Sequence, residues 1–100
     1  MERRLSRQDA QRLLRQFVVE GKVILHPHLL NRMIQRNITQ PSVDFVLEHG
    51  IVRREPEFDI RFRQWRYLVE GPDAKGQNLR LVFTFLDEGQ YQALVVTVMD

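Results

Sequence analysis

The residues with the clearest chemical potential form one basic segment, His26-Pro27-His28-Leu29-Leu30-Asn31-Arg32-Met33-Ile34-Gln35-Arg36. If this segment is helical, His28, Arg32 and Arg36 recur every four residues and align on one face. The positive end of a helix and a neighbouring guanidinium both disfavour a charged imidazolium, so the pattern favours a neutral His28 ring near pH 7. Such a ring can act as general base or acid on a phosphate ester whose developing charge the arginines stabilise. The alternative is that His28 caps the helix and the arginines are solvated.

A second cluster, Arg61-Phe62-Arg63-Gln64-Trp65-Arg66-Tyr67, interleaves cations with rings. On a strand, alternation places Arg61, Arg63, Trp65 and Tyr67 on one side and Arg66 on the other. Such a surface combines phosphate contacts with stacking, as single-stranded RNA binding requires. Alternatively, the rings pack under a helix and the arginines pair with acids on neighbouring strands, namely Glu55, Glu57, Asp59 or Glu70.

These two clusters contain groups that could fill the roles required by an RNA cleavage in which no metal takes part. The predicted roles are His28 as general base or acid, Arg32 and Arg66 as phosphate clamps, and Tyr67 as a stacking ring or proton donor. The remaining predicted RNA contacts are Arg36, Arg61, Arg63, Trp65 and Arg80. The second acid or base is not identified, although Glu70 and His49 are conceivable.

The sequence argues against several other kinds of site. The chain has no cysteine, so thiolate metal sites and cysteine nucleophiles are excluded. A zinc site built on His26 and His28 would have only His49 and scattered carboxylates to complete it, and we expect no metal and no cofactor. The glycines have no phosphate-loop spacing, and no Gly-x-Ser-x-Gly segment indicates a serine hydrolase.

The hydrophobic periodicity predicts an α+β domain in which helices precede strands. The expected helices span 6–20, 27–36 and 40–49, with Ser6, His26 and Thr39 as N-caps, Gly21 and Asn37 as stops, and Gly50 closing the third helix. The segment 22–25 is expected to be an extended connector. Strands are expected at 51–57, 61–70, 78–86 and 91–98, forming a four-stranded antiparallel sheet.

Charge is distributed unevenly along the 100 residues, whose net charge is +2. The first 40 residues carry eight basic and three acidic side chains, and the remainder carries seven and ten. Thirteen of the fifteen cations are arginine, which suits bidentate phosphate contacts but is equally common as a solvated charge. No stretch approaches the roughly 20 apolar residues of a membrane span, and we expect a cytoplasmic protein.

The pattern His28-x-x-x-Arg32-Met33-x-x-Arg36-x-Ile38-Thr39, followed by a short helix, Gly50 and strands, resembles the bacterial family called domain of unknown function 4258. The resemblance covers roughly residues 23–100, so residues 1–21 are expected to be a helical extension of a core at 22–100. The family is similar in plan to the barnase–EndoU–colicin–RelE ribonucleases. The resemblance therefore implies a RelE-like fold and a toxin-like ribonuclease, with His28 and Arg32 at motif positions, an RNA substrate and an antitoxin-like protein partner. Two alternatives remain: a non-catalytic RNA- or protein-binding module, and a protein that acts only by self-association or docking.

Overall fold

A computed structural model describes residues 3–86 and 92–99 of the chain. Within them it contains three helices and five strands. In chain order these are α1 (Arg7–Glu20), β1 (Val23–Leu25), α2 (Pro27–Arg36), α3 (Gln40–His49), β2 (Glu57–Asp59), β3 (Gln64–Pro72), β4 (Asn78–Leu86) and β5 (Gln92–Met99). The predicted α+β class and the three predicted helices are confirmed.

The helices begin and end where their capping residues predict. The Ser6 hydroxyl accepts a hydrogen bond from Asp9 N at the start of α1, and Gly21 ends that helix with φ of 71°. Asn37 ends α2 in the same left-handed conformation, with φ of 55°. Thr39 caps α3 by accepting from Ser42 N. Each cap satisfies backbone groups that a helix end leaves without an intrahelical partner.

The sheet is mixed and five-stranded, in the order β1-β5-β4-β3-β2. The prediction of a four-stranded, wholly antiparallel sheet is therefore wrong, because β1 joins its edge parallel to β5. Backbone hydrogen bonds from His26 N to Val95 O and from Ala93 N to Lys22 O, both 2.9 Å, hold this edge. Three residues are too short for their own periodicity to distinguish a strand from a connector.

The predicted strand at 51–57 is also wrong. Only Ile51 bridges to β3, opposite Glu70, and the backbone N of Val52 donates to the side chain of Gln11 instead. Pro56 lacks the backbone N–H that a ladder needs. β2 starts at Glu57, where the prediction ended, and pairs with β3 as a short hairpin.

The strand predicted at 61–70 begins three residues later, because 60–63 form the turn of the β2–β3 hairpin. Asp59 Oδ1 accepts from Arg61 N at 3.0 Å and Phe62 N at 3.4 Å, and Arg63 adopts a left-handed φ of 52°. β4 matches its prediction. β5 runs from 92 to 99, and residue 91 lies outside the described residues.

One face of the sheet carries the hydrophobic core together with all three helices. Buried side chains from α1, α2 and α3 include Leu14, Leu29 and Val46, and they belong to the same cluster as Tyr67 and Phe83 of the sheet. A β-bulge interrupts β5, since Val82 pairs with Thr97 but Phe83 pairs with Val95. The bulge brings Val98 rather than Thr97 to the core face, so the alternation of core-facing and outward-facing residues along β5 shifts after Val95.

Candidate functional site

Helix α2 contacts the core with only part of its predicted apolar face, since Leu30 and Ile34 are 42% and 77% exposed. Leu29 and Met33 are buried, whereas His28 is exposed in the first turn. The chain enters the helix through His26, whose Nδ1 accepts a hydrogen bond from His28 N at 3.0 Å, and Pro27 occupies the first turn. The segment 27–36 contains no acidic residue. The predicted helix is confirmed, and with it the alignment of His28, Arg32 and Arg36, but the exposed surface of α2 also includes the apolar Leu30 and Ile34.

Arg32 is held in place by the sheet. Its Nε donates to Val98 O of β5 at 3.2 Å, and the side chain is half-buried, as is that of Arg36 one turn later. Strand β1 pairs only with residues 93–95 of β5, so Arg32 contacts the edge beyond that pairing. His28 and Arg32 therefore share a helix face that runs along the end of β5.

Arg66 and Tyr67 belong to β3 and point to opposite sides of it. Tyr67 is 1% exposed on the core side, where its ring stacks on Phe83 and its hydroxyl accepts from Leu5 N at 3.0 Å. Packing of this ring in the core is the alternative to RNA stacking that the sequence left open. A side chain so buried does not stack on a ligand or donate a proton to one.

Arg66 takes part in the β2–β3 hairpin. Its Nε lies 3.2 Å from Asp59 Oδ2, and its guanidinium lies over the Phe62 ring at 5.4 Å from the centroid. Arg61 pairs with the same carboxylate, with 3.8 Å between Nε and Oδ1. Pairing with neighbouring acids, the alternative to RNA contact, is thus observed for both arginines.

The other predicted RNA contacts are dispersed over the sheet. Trp65 is half-buried, with its ring edge-on to Phe58 at 5.1 Å and the Arg4 guanidinium 5.6 Å from its centroid. Arg63 is exposed in the hairpin turn, and Arg80 lies on β4 in register with Glu70. The structure therefore does not gather the nine predicted residues into one site.

A groove of about 660 Å³ lies on the sheet face opposite the helices. The sheet residues Leu68, Val82 and Met99 contribute apolar surface to it, and the β2–β3 hairpin forms one side. Three arginines and three acids also line it: Arg54, Arg61, Arg66, Glu55, Glu57 and Asp59. Because these charges balance, the groove has no excess positive charge to attract a polyanion. None of its lining residues comes from α2.

Sequence reasoning missed a second groove, of about 560 Å³, beside α1. Its lining consists of Arg7, Gln8, Gln11, Arg12 and Arg15 from the helix, together with Ile51 and Val52. These helix positions lie within an arc of about 140° at 100° per residue, a signal that the sequence does carry. The apolar stripe of α1 indicated only which face is buried.

Two carboxyl groups outside α2 have shifted pKa values, and the two conceivable second bases also lie on other elements. Burial would raise the pKa of Asp73 in the β3–β4 turn, but hydrogen bonds from the Ser42 side chain and from the backbone N–H groups of Gln77 and Lys75 lower it overall. Burial, with a smaller contribution from the like charge of Glu48, raises the pKa of Asp44. Glu70, one conceivable second base, has its Oε2 3.8 Å from Nε of Arg54, which lies between α3 and β2. The other, His49, packs on Phe45 in α3.

Within residues 3–86 and 92–99, no three histidines, aspartates or glutamates are grouped as a metal site would need. None of the described helices is both long and apolar enough to cross a bilayer.

Comparison with known protein families places the chain in a family. The family model of domain of unknown function 4258 matches residues 25–100, which include the whole of α2, α3 and the strands from β2 onward. No curated protein and no solved structure matches the chain. The matched span begins immediately before the His28 and Arg32 motif and covers three quarters of the sequence, so the chain belongs to the domain of unknown function 4258 family.

Proposed function

We propose that this protein is a metal-independent endoribonuclease of toxin type whose site is the polar face of α2. The observation that carries the proposal is an exposed imidazole, His28, one helical turn from an arginine that a main-chain carbonyl holds in position. Tyr67 and Arg66 have no role in this site, because one is buried and the other is paired with Asp59.

In the proposed reaction His28 removes the proton from a ribose 2′-hydroxyl. The 2′ oxygen attacks the adjacent phosphorus, and the bond to the 5′ oxygen of the next nucleotide breaks. The products are a 2′,3′-cyclic phosphate and a new 5′-hydroxyl. Arg32 and Arg36 stabilise the negative charge on the phosphorane, which is the largest contribution such a site can supply.

The leaving 5′ oxygen takes a proton from solvent water, and the proton that His28 has removed is released to solvent, so the step balances without a second side chain. His26 is not the acid, because its Nδ1 accepts from His28 N and a neutral ring with its proton on Nε2 is too weak an acid. His26 is exposed and lies two residues before His28, at the open end of the same helix, where its Nε2–H can donate a hydrogen bond to a phosphate oxygen.

Cleavage of a labelled single-stranded RNA by purified protein in the presence of a chelator tests the proposal. We expect cleavage with cyclic phosphate ends, and a decrease in rate of about 10²-fold or more in His28→Ala. His49→Ala is the matched control, because that histidine lies on α3 against Phe45, and it should cleave as the wild type does. RNA that stays intact, or equal rates for His28→Ala and the wild type, would contradict the assignment.

One observation favours a second candidate function, a non-catalytic module that binds protein. The β2–β3 hairpin exposes Phe58, Ile60 and Phe62 to 40%, 82% and 59%, beside the groove on the open sheet face. Neighbouring apolar side chains at this exposure are typical of interaction surfaces. Intact RNA together with a concentration-dependent dimer, or with a stable complex with another protein, would favour this function over cleavage.

A further inference from the structure

The groove beside α1 contains a half-buried cation whose charge no carboxylate neutralises. Arg15 donates from Nη2 to Gly50 O, and its Nε is buried without a hydrogen-bond partner. Among residues 3–86 and 92–99, no acid forms an ion pair with it. A partly desolvated charge without a counter-ion is unfavourable, and an anion bound from solution would relieve that cost.

The groups around Arg15 in this groove are mainly hydrogen-bond donors. Gln11 Oε1 accepts from Val52 N at 2.8 Å, which leaves the two N–H groups of its amide to donate elsewhere. Arg12 is 76% exposed and pairs with Asp9 of its own helix, an interaction that water screens strongly. A ligand that fits such a lining must be rich in acceptor oxygens and negatively charged.

The size of the groove limits the ligand further. Its volume of about 560 Å³ exceeds that of a lone oxyanion and falls in the range of sites for small organic molecules. Ile51, which is 43% exposed, gives it an apolar wall next to the arginines. A phosphate attached to a flat, partly apolar group, such as a nucleotide unit, matches both features.

We propose that the α1 groove binds a phosphate group of a nucleotide unit in a single-stranded RNA, with Arg15 and Arg12 as its ligands. The inference rests on the proposed function for the identity of the RNA, but the groove lies on a different element from α2 and would act in binding rather than in cleavage. Arg15 is fixed by Gly50 O before the ligand arrives, so little side-chain entropy is lost on binding. Arginine forms paired hydrogen bonds to phosphate oxygens more readily than lysine does.

The test uses the full chain and a fluorescent 2′-O-methyl RNA of about 12 nucleotides, which lacks the 2′-hydroxyl and is not cleaved. At low salt we expect Arg15→Gln to weaken binding about fivefold or more, and to reduce the slope of log K against log salt by about one. Lys75→Gln removes the same unit of charge from the exposed β3–β4 turn, and it should change the affinity less than twofold. Equal effects of the two substitutions would show that only net charge matters and would overturn the site.

Two further binding measurements complete the test: a second substitution in the groove and competition by small phosphates. Arg12→Gln alters an exposed position and leaves the contact to Gly50 intact, so it should weaken binding even if Arg15→Gln is less stable. Adenosine monophosphate should displace the RNA at millimolar concentration and inorganic phosphate less effectively, whereas displacement by neither would overturn the proposal. Cleavage of RNA that carries 2′-hydroxyl groups is measured separately. Loss of cleavage in His28→Ala with unchanged RNA affinity supports both proposals. Wild-type protein that binds RNA at the groove without cleaving it refutes the ribonuclease proposal and not the groove proposal.

Discussion

Single carboxylates in this protein respond to their surroundings in opposite directions. Asp73 is 4% exposed, and its Oδ1 accepts from Lys75 N at 2.9 Å and Gln77 N at 2.8 Å. These bonds close the β3–β4 turn, and the Ser42 contact ties the turn to the start of α3. Asp44, two residues after Ser42, instead experiences burial and the like charge of Glu48. Folding therefore stabilises the ionised form of Asp73 and destabilises the ionised form of Asp44.

The first prediction concerns the pH dependence of folding. Because the pKa of Asp73 is lower in the folded protein than its ordinary value of 3.8, its ionised form adds stability above that value, and this stability is lost as the pH falls below it. Asp73→Asn should therefore lower the urea midpoint near pH 7, and the difference from the wild type should shrink on acidification. Asp44→Asn is the control with the opposite sign. Because the pKa of Asp44 is raised in the folded protein, this substitution should slightly increase the urea midpoint near pH 7, and the increase should also disappear in acid. A difference for Asp73→Asn that does not vary with pH would refute the assignment.

At the scale of elements, α3 and β3 approach each other through glycine. A Cβ on Gly50 would lie 2.6 Å from Val46 O and 2.9 Å from Val69 Cγ2. Gly71 is the facing residue on β3, since its own Cβ would come within 3.3 Å of the Gly50 Cα. The φ of −68° at Gly50 suits any residue, so space and not backbone conformation requires glycine here.

Gly50→Ala should consequently destabilise the protein by about 1–3 kcal/mol, the usual cost of overpacking a core contact. The same change displaces the carbonyl that accepts from Arg15, so it should also weaken RNA binding at the α1 groove. Gly21→Asn is the control, because asparagine tolerates a left-handed φ and no atom lies within 4 Å of the added carbon. Chemical denaturation of the three proteins checks the prediction, and equal midpoints for Gly50→Ala and the wild type would contradict it.

Local signals explain why the helices could be predicted and the sheet edges could not. Ser6, Asn37 and Thr39 act within a few residues of their own helix end, so the sequence alone carries the information. Strands β1 and β2 have three residues each, and what makes them strands is pairing with β5 and β3, which no local pattern encodes. The bulge near Val96 likewise depends on the partner strand.

The candidate site likewise contains residues whose placement the sequence could predict and residues whose placement it could not. The spacing of His28, Arg32 and Arg36 correctly predicted a shared helix face, because helical periodicity is local. The prediction that Tyr67 could contact a ligand depended on which side of β3 meets the helices, and alternation alone does not reveal that side. Arg15 was missed because its partner, Gly50 O, is 35 residues away in the sequence.

At the scale of the whole molecule, α1 is part of the core although the family match begins after it. Its residues Ala10, Leu14 and Phe17 are buried to 5% exposure or less, and Leu5 N reaches the Tyr67 hydroxyl. Phe17 also packs edge-on to Phe85 of β4, with 5.9 Å between ring centroids. The helix therefore completes the hydrophobic layer over the sheet.

Removal of residues 1–21 should accordingly abolish cooperative unfolding, because it exposes the Tyr67 and Phe85 side of the sheet. Calorimetry and binding of a hydrophobic dye measure this loss of cooperativity. The smaller change Leu14→Ala in the full chain should lower the free energy of unfolding by about 2–5 kcal/mol. A fragment 22–100 that melts sharply near the temperature of the full chain would show that α1 is dispensable.

The parallel pairing of β1 with β5 also constrains how the polypeptide is made. Val23 pairs with Ala93, and Leu25 pairs with Val95, so about 70 residues of chain must be synthesised after β1 before its partner exists. During translation, the apolar sides of α1 and α2 have no completed sheet to cover them. The complete sheet therefore forms only after β5 has left the ribosome, and contacts so distant in sequence close more slowly than the local contacts within the helices.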